Sequence, residues 1–184
     1  MVNLAILRRF APASVGRWIA AGALLPDVPM LLFYIWERGM LGASERHIRS
    51  RAYFDPAWQH SFDAFNSAPI FALVGLAAWA ARRSGPAWLC ASGLLHVLGD
   101  AFVHREDGHR HLWPVSSWRF ETPVSYWDPA HHGAWGAGLE TLLVFGSTLA
   151  LWPAAPRAGR VALAVLCVAS GSAWIAFYAL GWAP

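Results

Sequence analysis

Residues 161–183 read VALAVLCVASGSAWIAFYALGWA and contain no charged side chain. A helix needs about 20 mostly apolar residues to cross the hydrocarbon core of a bilayer, so this run is long enough for one crossing. Residues 134–152, which precede it, are equally apolar apart from Glu140. A short loop containing prolines and arginines joins the two runs. The pair therefore predicts two neighbouring transmembrane helices.

Two further apolar runs lie upstream of this pair. Residues 64–81 carry no charge and end at Arg82-Arg83, and residues 86–103 follow after a short turn. Cationic residues commonly flank membrane spans in short loops. The two runs therefore predict two more spans, joined by a tight turn on one side of the membrane.

Residues 11–36 are also long enough to cross a bilayer, but Pro26 and Pro29 interrupt them. Prolines remove backbone donors and break a helix locally, and non-helical backbone at membrane depth survives only against protein or water. We expect a broken span here; a segment that dips into the membrane and continues as an interfacial helix is the alternative. The whole chain, residues 1–184, is predicted to be one all-α domain, a polytopic transmembrane helical bundle of about five spans.

The composition supports this class. Hydrophobic residues make up 57% of the chain and charged residues only 14%, whereas about a quarter of the residues of a soluble domain are charged. The 12 tryptophans favour membrane interfaces. All basic residues are arginines in short clusters rather than a basic stripe, which argues against nucleic-acid binding. We expect the lipid bilayer as the partner. The arginines divide almost equally between the two sides of the membrane, so they do not indicate how the chain is oriented. The oligomeric state is left open.

One long stretch, residues 105–133, is not apolar. Loops of this length without periodicity are usually functional or disordered, and a high aromatic content argues against disorder. We therefore predict an ordered, His-rich aromatic cap loop over one end of the bundle. Its aromatic residues include Trp113, Trp118, Tyr126 and Trp127.

His96, Asp100 and His104 recur every four residues in an apolar helix. At about 100° per residue they share one helix face. Ionisable groups within a span are costly and need partners, and imidazole and carboxylate groups are both ligands for zinc, manganese or iron. The spacing favours a metal site, although a buried polar network that ties helices together is the alternative.

Other ionisable residues fall on the same predicted side of the membrane. Asp27 lies at the proline break, His60 opens the next span, and Glu140 lies inside a later one, while six of the eight histidines occur between His96 and His132. The turns of the opposite side contain no His, Asp or Glu. This segregation predicts one shared site. Asp27 is equally well explained as a helix cap, and His109 and His111 are interpreted as loop histidines in water.

Several short blocks of the chain, in the same order over about residues 16–116, resemble those of the bacterial inner-membrane metal-dependent hydrolases, a family described as LexA-binding and membrane-associated. The matching blocks are Gly22-Ala-Leu-Leu-Pro-Asp27, His60-Ser61, Leu95-His96-x-x-x-Asp100 and Leu112-Trp113-Pro114. The resemblance implies a multi-span fold in the bacterial inner membrane and a metal site at Asp27, His60, His96 and Asp100. LexA binding cannot be inferred from these residues. The His-x-x-x-Asp spacing is also distantly similar to that of zinc-dependent phospholipase C.

The leading hypothesis is a membrane-bound metal-dependent hydrolase that cleaves a lipid or lipid-linked phosphoester or ester with a metal-activated water. Zinc is the favoured divalent metal, with manganese and iron left open. We expect His104, or His131 with His132, to hold a second ion or to act as acid and base. The arginines expected to contact a substrate head group are Arg105, Arg110 and Arg119.

Two other functions are weighed against this one. A di-iron lipid oxidase also uses many histidines near one membrane face, but the chain lacks a complete H-x-x-H-H box. A non-enzymatic structural, assembly or metal-carrier protein is the other alternative. Metal content after purification distinguishes the enzyme from the structural protein.

Overall fold

The computed structural model describes residues 1–105, 107–125 and 128–180. Within these ranges the chain is all-helical and forms no strand, as predicted. The α-helices are α1 (Val2–Leu7), α2 (Gly16–Leu24), α3 (Val28–Tyr34), α4 (Glu45–Ser50), α5 (Pro56–Phe65), α6 (Ala68–Ala80), α7 (Ser84–Asp100), α8 (Gly133–Leu151) and α9 (Arg157–Trp174). Residues 181–183 of the last predicted span, and Tyr126 and Trp127 of the predicted cap loop, lie outside the described residues.

Three helical stretches are long and apolar enough to cross a membrane: Ala13–Met40, Gly133–Ala154 and Arg157–Ala179. A fourth crossing is available if α5 and α6, which meet at a bend of 42°, form one broken span. Helix α7 contains 17 residues, so it is about 26 Å long at 1.5 Å per residue. It falls short of a hydrocarbon core of about 30 Å, and the count of five spans stays a prediction.

The proline pair perturbs the first stretch less than the sequence suggests. Leu25–Asp27 form a single 3-10 turn between α2 and α3, and the chain remains helical on both sides of it. Pro26 and Pro29 each fall at the start of a new helical segment. The first turn of a helix does not use its backbone donors, so proline is tolerated there. The break is therefore a local tightening that turns Asp27 toward α7.

The predicted span at residues 64–81 begins later than expected. Helix α5 ends at Phe65, and α6 begins at Ala68, with Ser67 as its N-cap. The Ser67 hydroxyl accepts a hydrogen bond from the Ile70 amide and donates one to the Trp113 carbonyl. Because serine at an N-cap satisfies an otherwise unpaired helix donor, the chain starts a new helix at this point.

Helix α7 is the centre of the bundle and packs against both α2 and α6. Gly22 of α2 lies so close to α7 that a Cβ atom there would be 2.1 Å from the Leu89 carbonyl oxygen. Gly93 of α7 leaves similar room for the Phe71 ring of α6. Small residues at helix crossings allow backbones to approach closely. This close approach brings the end of α2 over the polar face of α7.

Helices α8 and α9 pack on each other and contact the rest of the chain mainly through α1. Their outer faces are apolar and open, with Leu142 and Val168 each 67% exposed. Contiguous apolar surface of this kind marks an interaction with a membrane or a partner, and here it covers helices that are long enough to span a bilayer.

The loop after α7 packs onto the start of α6 and onto α5. The Ala68 amide donates to the His111 carbonyl over 2.9 Å, and the Tyr53 hydroxyl donates to the Asp107 carbonyl over 2.7 Å. An aromatic cluster centred on Phe33 and Phe62 supports this side of the bundle. The contacts place the loop histidines against α5 and α6.

Candidate metal centre

His96, on the polar face of α7, has oxygen atoms against both ring nitrogens. Nδ1 lies 2.9 Å from the Ala23 carbonyl oxygen of α2. Nε2 lies 3.1 Å from Asp100 Oδ2 and 3.5 Å from Asp27 Oδ1. Ligand atoms of the three side chains all lie within 4.8 Å of one another. The structure thus brings together three of the four predicted metal ligands.

The Ala23 carbonyl can only accept a hydrogen bond, so Nδ1 of His96 carries a proton. Nε2 then faces two carboxylates, so a proton or a metal ion lies between these atoms. Zinc binds imidazole and carboxylate ligands at about 2.0–2.2 Å, which places tetrahedral ligand atoms about 3.3 Å apart. The observed separations fit this arrangement, and the Ala23 contact is the outer-shell bond that commonly orients a ligating histidine.

The centre opens on one side. The His96 and Asp100 side chains are 14% and 23% exposed, whereas Asp27 is 65% exposed. A ligand can therefore approach from the Asp27 side without disturbing α7. The sequence interpretation of Asp27 as a helix cap receives no support, because its side chain makes no capping hydrogen bond to α3.

The fourth predicted ligand, His60, lies on an exposed face of α5 and is not a member of the group formed by Asp27, His96 and Asp100. The buried face of α5 carries Asp63 instead, two positions from Ser61 in the predicted block. The helical period explains the difference, since residues three apart do not point in identical directions.

His104, predicted as a catalytic residue, is buried just beyond α7, and its Nδ1 lies 2.7 Å from Asp107 Oδ2. Burial opposes protonation of this imidazole, but the hydrogen bond to Asp107 and its negative charge leave the pKa of His104 raised. The Asp107 carboxylate therefore favours the protonated form of His104.

The other predicted catalytic pair lies at the start of α8. His131 Nδ1 is 2.6 Å from Asp128 Oδ2, and His132 is exposed in a left-handed conformation with φ of 61°. Neither histidine belongs to the Asp27, His96 and Asp100 group. Their catalytic role stays a prediction.

Two of the predicted head-group arginines have protein partners. Arg110 is paired with the fully buried Asp63: its Nη2 lies 2.5 Å from Asp63 Oδ2, and its backbone amide donates to Oδ1. Arg119 donates from Nη2 to Gln59 Oε1 over 2.8 Å. Arg105 is partly buried in the loop after α7. Of the three, Arg110 is the one most firmly held by the protein itself.

The sequence pattern predicted that His109 and His111 are loop histidines in water, but the structure buries both. They are 5% and 8% exposed, respectively. Burial, reinforced by the nearby charge of His104, lowers the pKa of His109 to about 4, although the Asp100 carboxylate acts in the opposite direction. Burial also lowers the pKa of His111. Both rings are therefore neutral at physiological pH and keep one nitrogen lone pair each.

Glu140 lies in the wall of an open cavity of about 580 Å³ between α8, α9 and the end of α2. Among the described residues, no cation lies within ion-pair distance of its carboxylate. Its electrostatic neighbours include Asp27, His96 and Asp100. The cavity is otherwise mainly apolar and includes Leu24, Trp174 and Phe177. A mainly apolar groove that carries the Glu140 carboxylate and the Arg49 guanidinium thus adjoins the centre.

No family model, curated protein or solved structure matches the chain. The resemblance to inner-membrane hydrolases therefore stays a prediction, and the site geometry carries the functional argument.

Proposed function

We propose that the protein is a metal-dependent hydrolase of the bacterial inner membrane, which it crosses five times, with α7 as the fifth span and the loop at residues 105–133 as a cap. The observation that carries the proposal is His96 Nε2 held between the carboxylates of Asp27 and Asp100. His96, Asp27 and Asp100 would hold one divalent ion, with zinc favoured by the imidazole and carboxylate donor set. The open side at Asp27 is the route for substrate.

A bound zinc ion supplies an acidified water and polarises a phosphoryl or acyl oxygen. The chain contributes the proton transfers and the positioning. Glu140, which has no ion-pair partner among the described residues, is suited to accept a proton from a water molecule near the centre. His104, whose protonated form Asp107 favours, is suited to donate one to a leaving oxygen.

The surroundings of the centre support a proposal for the substrate class. The cavity beside Glu140 is mainly apolar and is built by helices whose outer faces are also apolar. Ligand sites of this kind combine apolar walls with a few polar groups that fix orientation. We infer a lipid or lipid-linked phosphoester or ester, with its chain in the groove and its polar bond near Asp27.

Elemental analysis of the purified protein, combined with hydrolysis assays, tests this proposal. We expect about one equivalent of zinc, or of a similar divalent transition metal, at the centre of the wild-type protein. The His96→Ala and Asp100→Ala variants should lose this metal. Hydrolysis of a chromogenic phosphodiester or acyl ester in mixed micelles should fall together with this metal. His47→Ala, which alters an exposed histidine of α4, is the control and should retain both.

A structural function is the second candidate, and the same geometry favours it. A protonated His96 between two carboxylates would tie the end of α2 to α7 as a partly exposed ion pair without any metal. In that case the His96 centre holds no metal, and His96→Ala lowers thermal stability without changing the metal content or any hydrolysis. That result would reject the hydrolase.

A further inference from the structure

Three polar atoms beside the loop after α7 are buried and have no hydrogen-bond partner among the described residues. They are His109 Nδ1, His111 Nε2 and Asn66 Oδ1. The side chains that carry them are 5%, 8% and 3% exposed, respectively. Leaving a buried polar atom unpaired costs about 1–3 kcal/mol, so three such atoms together indicate that something else binds there.

The hydrogen bonds of the same side chains show which atoms are free to bind. His111 Nδ1 faces the Asn66 carbonyl oxygen at 3.4 Å, so Nδ1 carries the proton and Nε2 presents a lone pair. The Asn66 amide nitrogen donates to the Phe62 and Pro26 carbonyls, which fixes Oδ1 as the remaining acceptor. Nε2 and Oδ1 thus both need a donor or a cation.

The His109 ring lies next to that of His111, with 6.0 Å between ring centroids, and 5.7 Å from that of His104. It contributes a third unpaired atom, Nδ1. A neutral imidazole whose other partner is a backbone carbonyl, as in His111, is the usual form of a metal-ligating histidine. Two neutral imidazoles with an amide oxygen favour a transition metal over magnesium or calcium, which prefer all-oxygen sites.

We propose that His109, His111 and Asn66 form a second site for a divalent transition metal such as zinc, next to the Asp27, His96 and Asp100 centre. Water would complete the coordination of the ion. This site goes beyond the proposed function because it stands on residues that the first centre does not use. An ordered water, which also needs two to four polar partners, is the competing occupant.

Cobalt titration of the full-length protein in detergent, after chelation of bound metal, distinguishes these occupants. We expect the wild type to bind two equivalents of Co²⁺, counted by elemental analysis after desalting and followed by the visible absorption of the bound ion. His111→Gln and His109→Gln should each retain one equivalent, and His96→Ala should retain the other. His47→Ala should retain both.

Helix content and gel-filtration profile show which variants fold, and glutamine keeps a polar side chain of similar size if alanine is not tolerated. One equivalent that is lost in His111→Gln but kept in His96→Ala would support the second site and reject the hydrolase centre. One equivalent that is lost in His96→Ala alone, or in both variants, would overturn the second site, as would the absence of metal from the wild type.

Discussion

Asp63 and Arg110 form the most deeply buried ion pair in the described part of the chain. The Asp63 side chain is fully buried, and it accepts both the guanidinium and the backbone amide of Arg110. This pair fastens the loop after α7 to α5 and holds the adjoining residues His109 and His111 in place. The role predicted for Arg110, a contact to a substrate head group, competes with this contact.

Removal of Arg110 should therefore destabilise the protein. Arg110→Ala leaves a buried, uncompensated carboxylate, for which about 3–5 kcal/mol is expected. Arg119→Ala, which removes a single hydrogen bond to Gln59, should cost about 1 kcal/mol. Thermal unfolding in detergent measures both. Equal effects of the two variants would show that the Asp63 contact is not the stronger attachment of the loop.

His109 and His111 show what residue-level sequence reasoning misses. Their neighbours in the chain are Gly108, Arg110 and Leu112, a pattern that is also typical of an exposed loop. Burial comes from the end of α5 and the start of α6, which lie more than forty residues upstream along the chain. No local signal encodes it, although the unusual density of histidines was an indication that the loop has a function.

At the scale of helices, the centre depends on how closely α2 approaches α7. His96 contacts both Ala23 and Asp27, at the end of α2 and in the turn after it. Gly22, which lies beside Ala23, makes this approach sterically possible. The glycine therefore belongs to the site even though it carries no chemistry.

Gly22→Ala should separate the two helices. Its Cβ would meet the Leu89 backbone at 2.1 Å, and overpacking of this kind costs about 1–3 kcal/mol. We expect a lower melting temperature and loss of metal from the first centre. Gly99→Ala is the matched control, since a Cβ there meets nothing within 4 Å, and better helix propensity should leave stability unchanged or higher. Metal retention in Gly22→Ala would contradict this account.

At the scale of the whole molecule, the number of crossings depends on α7. The three long helical stretches and the bent α5–α6 pair give at most four spans by length and apolarity. Helix α7 packs between α2 and α6 and is mostly half-buried or buried, and it carries His96 and Asp100. A buried span can hold polar groups that a lipid-facing one cannot, so we expect α7 to cross.

Labelling of single cysteines tests this topology. In a background with Cys90→Ser and Cys167→Ser, we expect Arg83→Cys and Ala154→Cys to react with an impermeant maleimide from the same face of the membrane. Trp118→Cys should react from the opposite face. If α7 does not cross, Arg83→Cys and Trp118→Cys react together and Ala154→Cys from the other side.

The sequence by itself determined the helical class, the positions of the long apolar helices and the fact that His96 and Asp100 share one helix face. These depend on local properties, namely hydrophobic run length and the helical period, which any single stretch carries. The sequence placed the start of this span at residue 64, whereas α6 begins at Ala68. Asn66 and Ser67 are small uncharged residues that do not interrupt an apolar run, so the sequence pattern did not show the break between α5 and α6.

Only the tertiary structure decided which polar groups meet. Asp27 reaches His96 because Gly22 lets α2 lie against α7, whereas His60 faces outward although it belongs to the same predicted ligand set. His109 and His111 are buried because the loop packs on α5 and α6. Contacts between residues far apart in the chain depend on the packing of whole helices, which no local pattern of residues specifies.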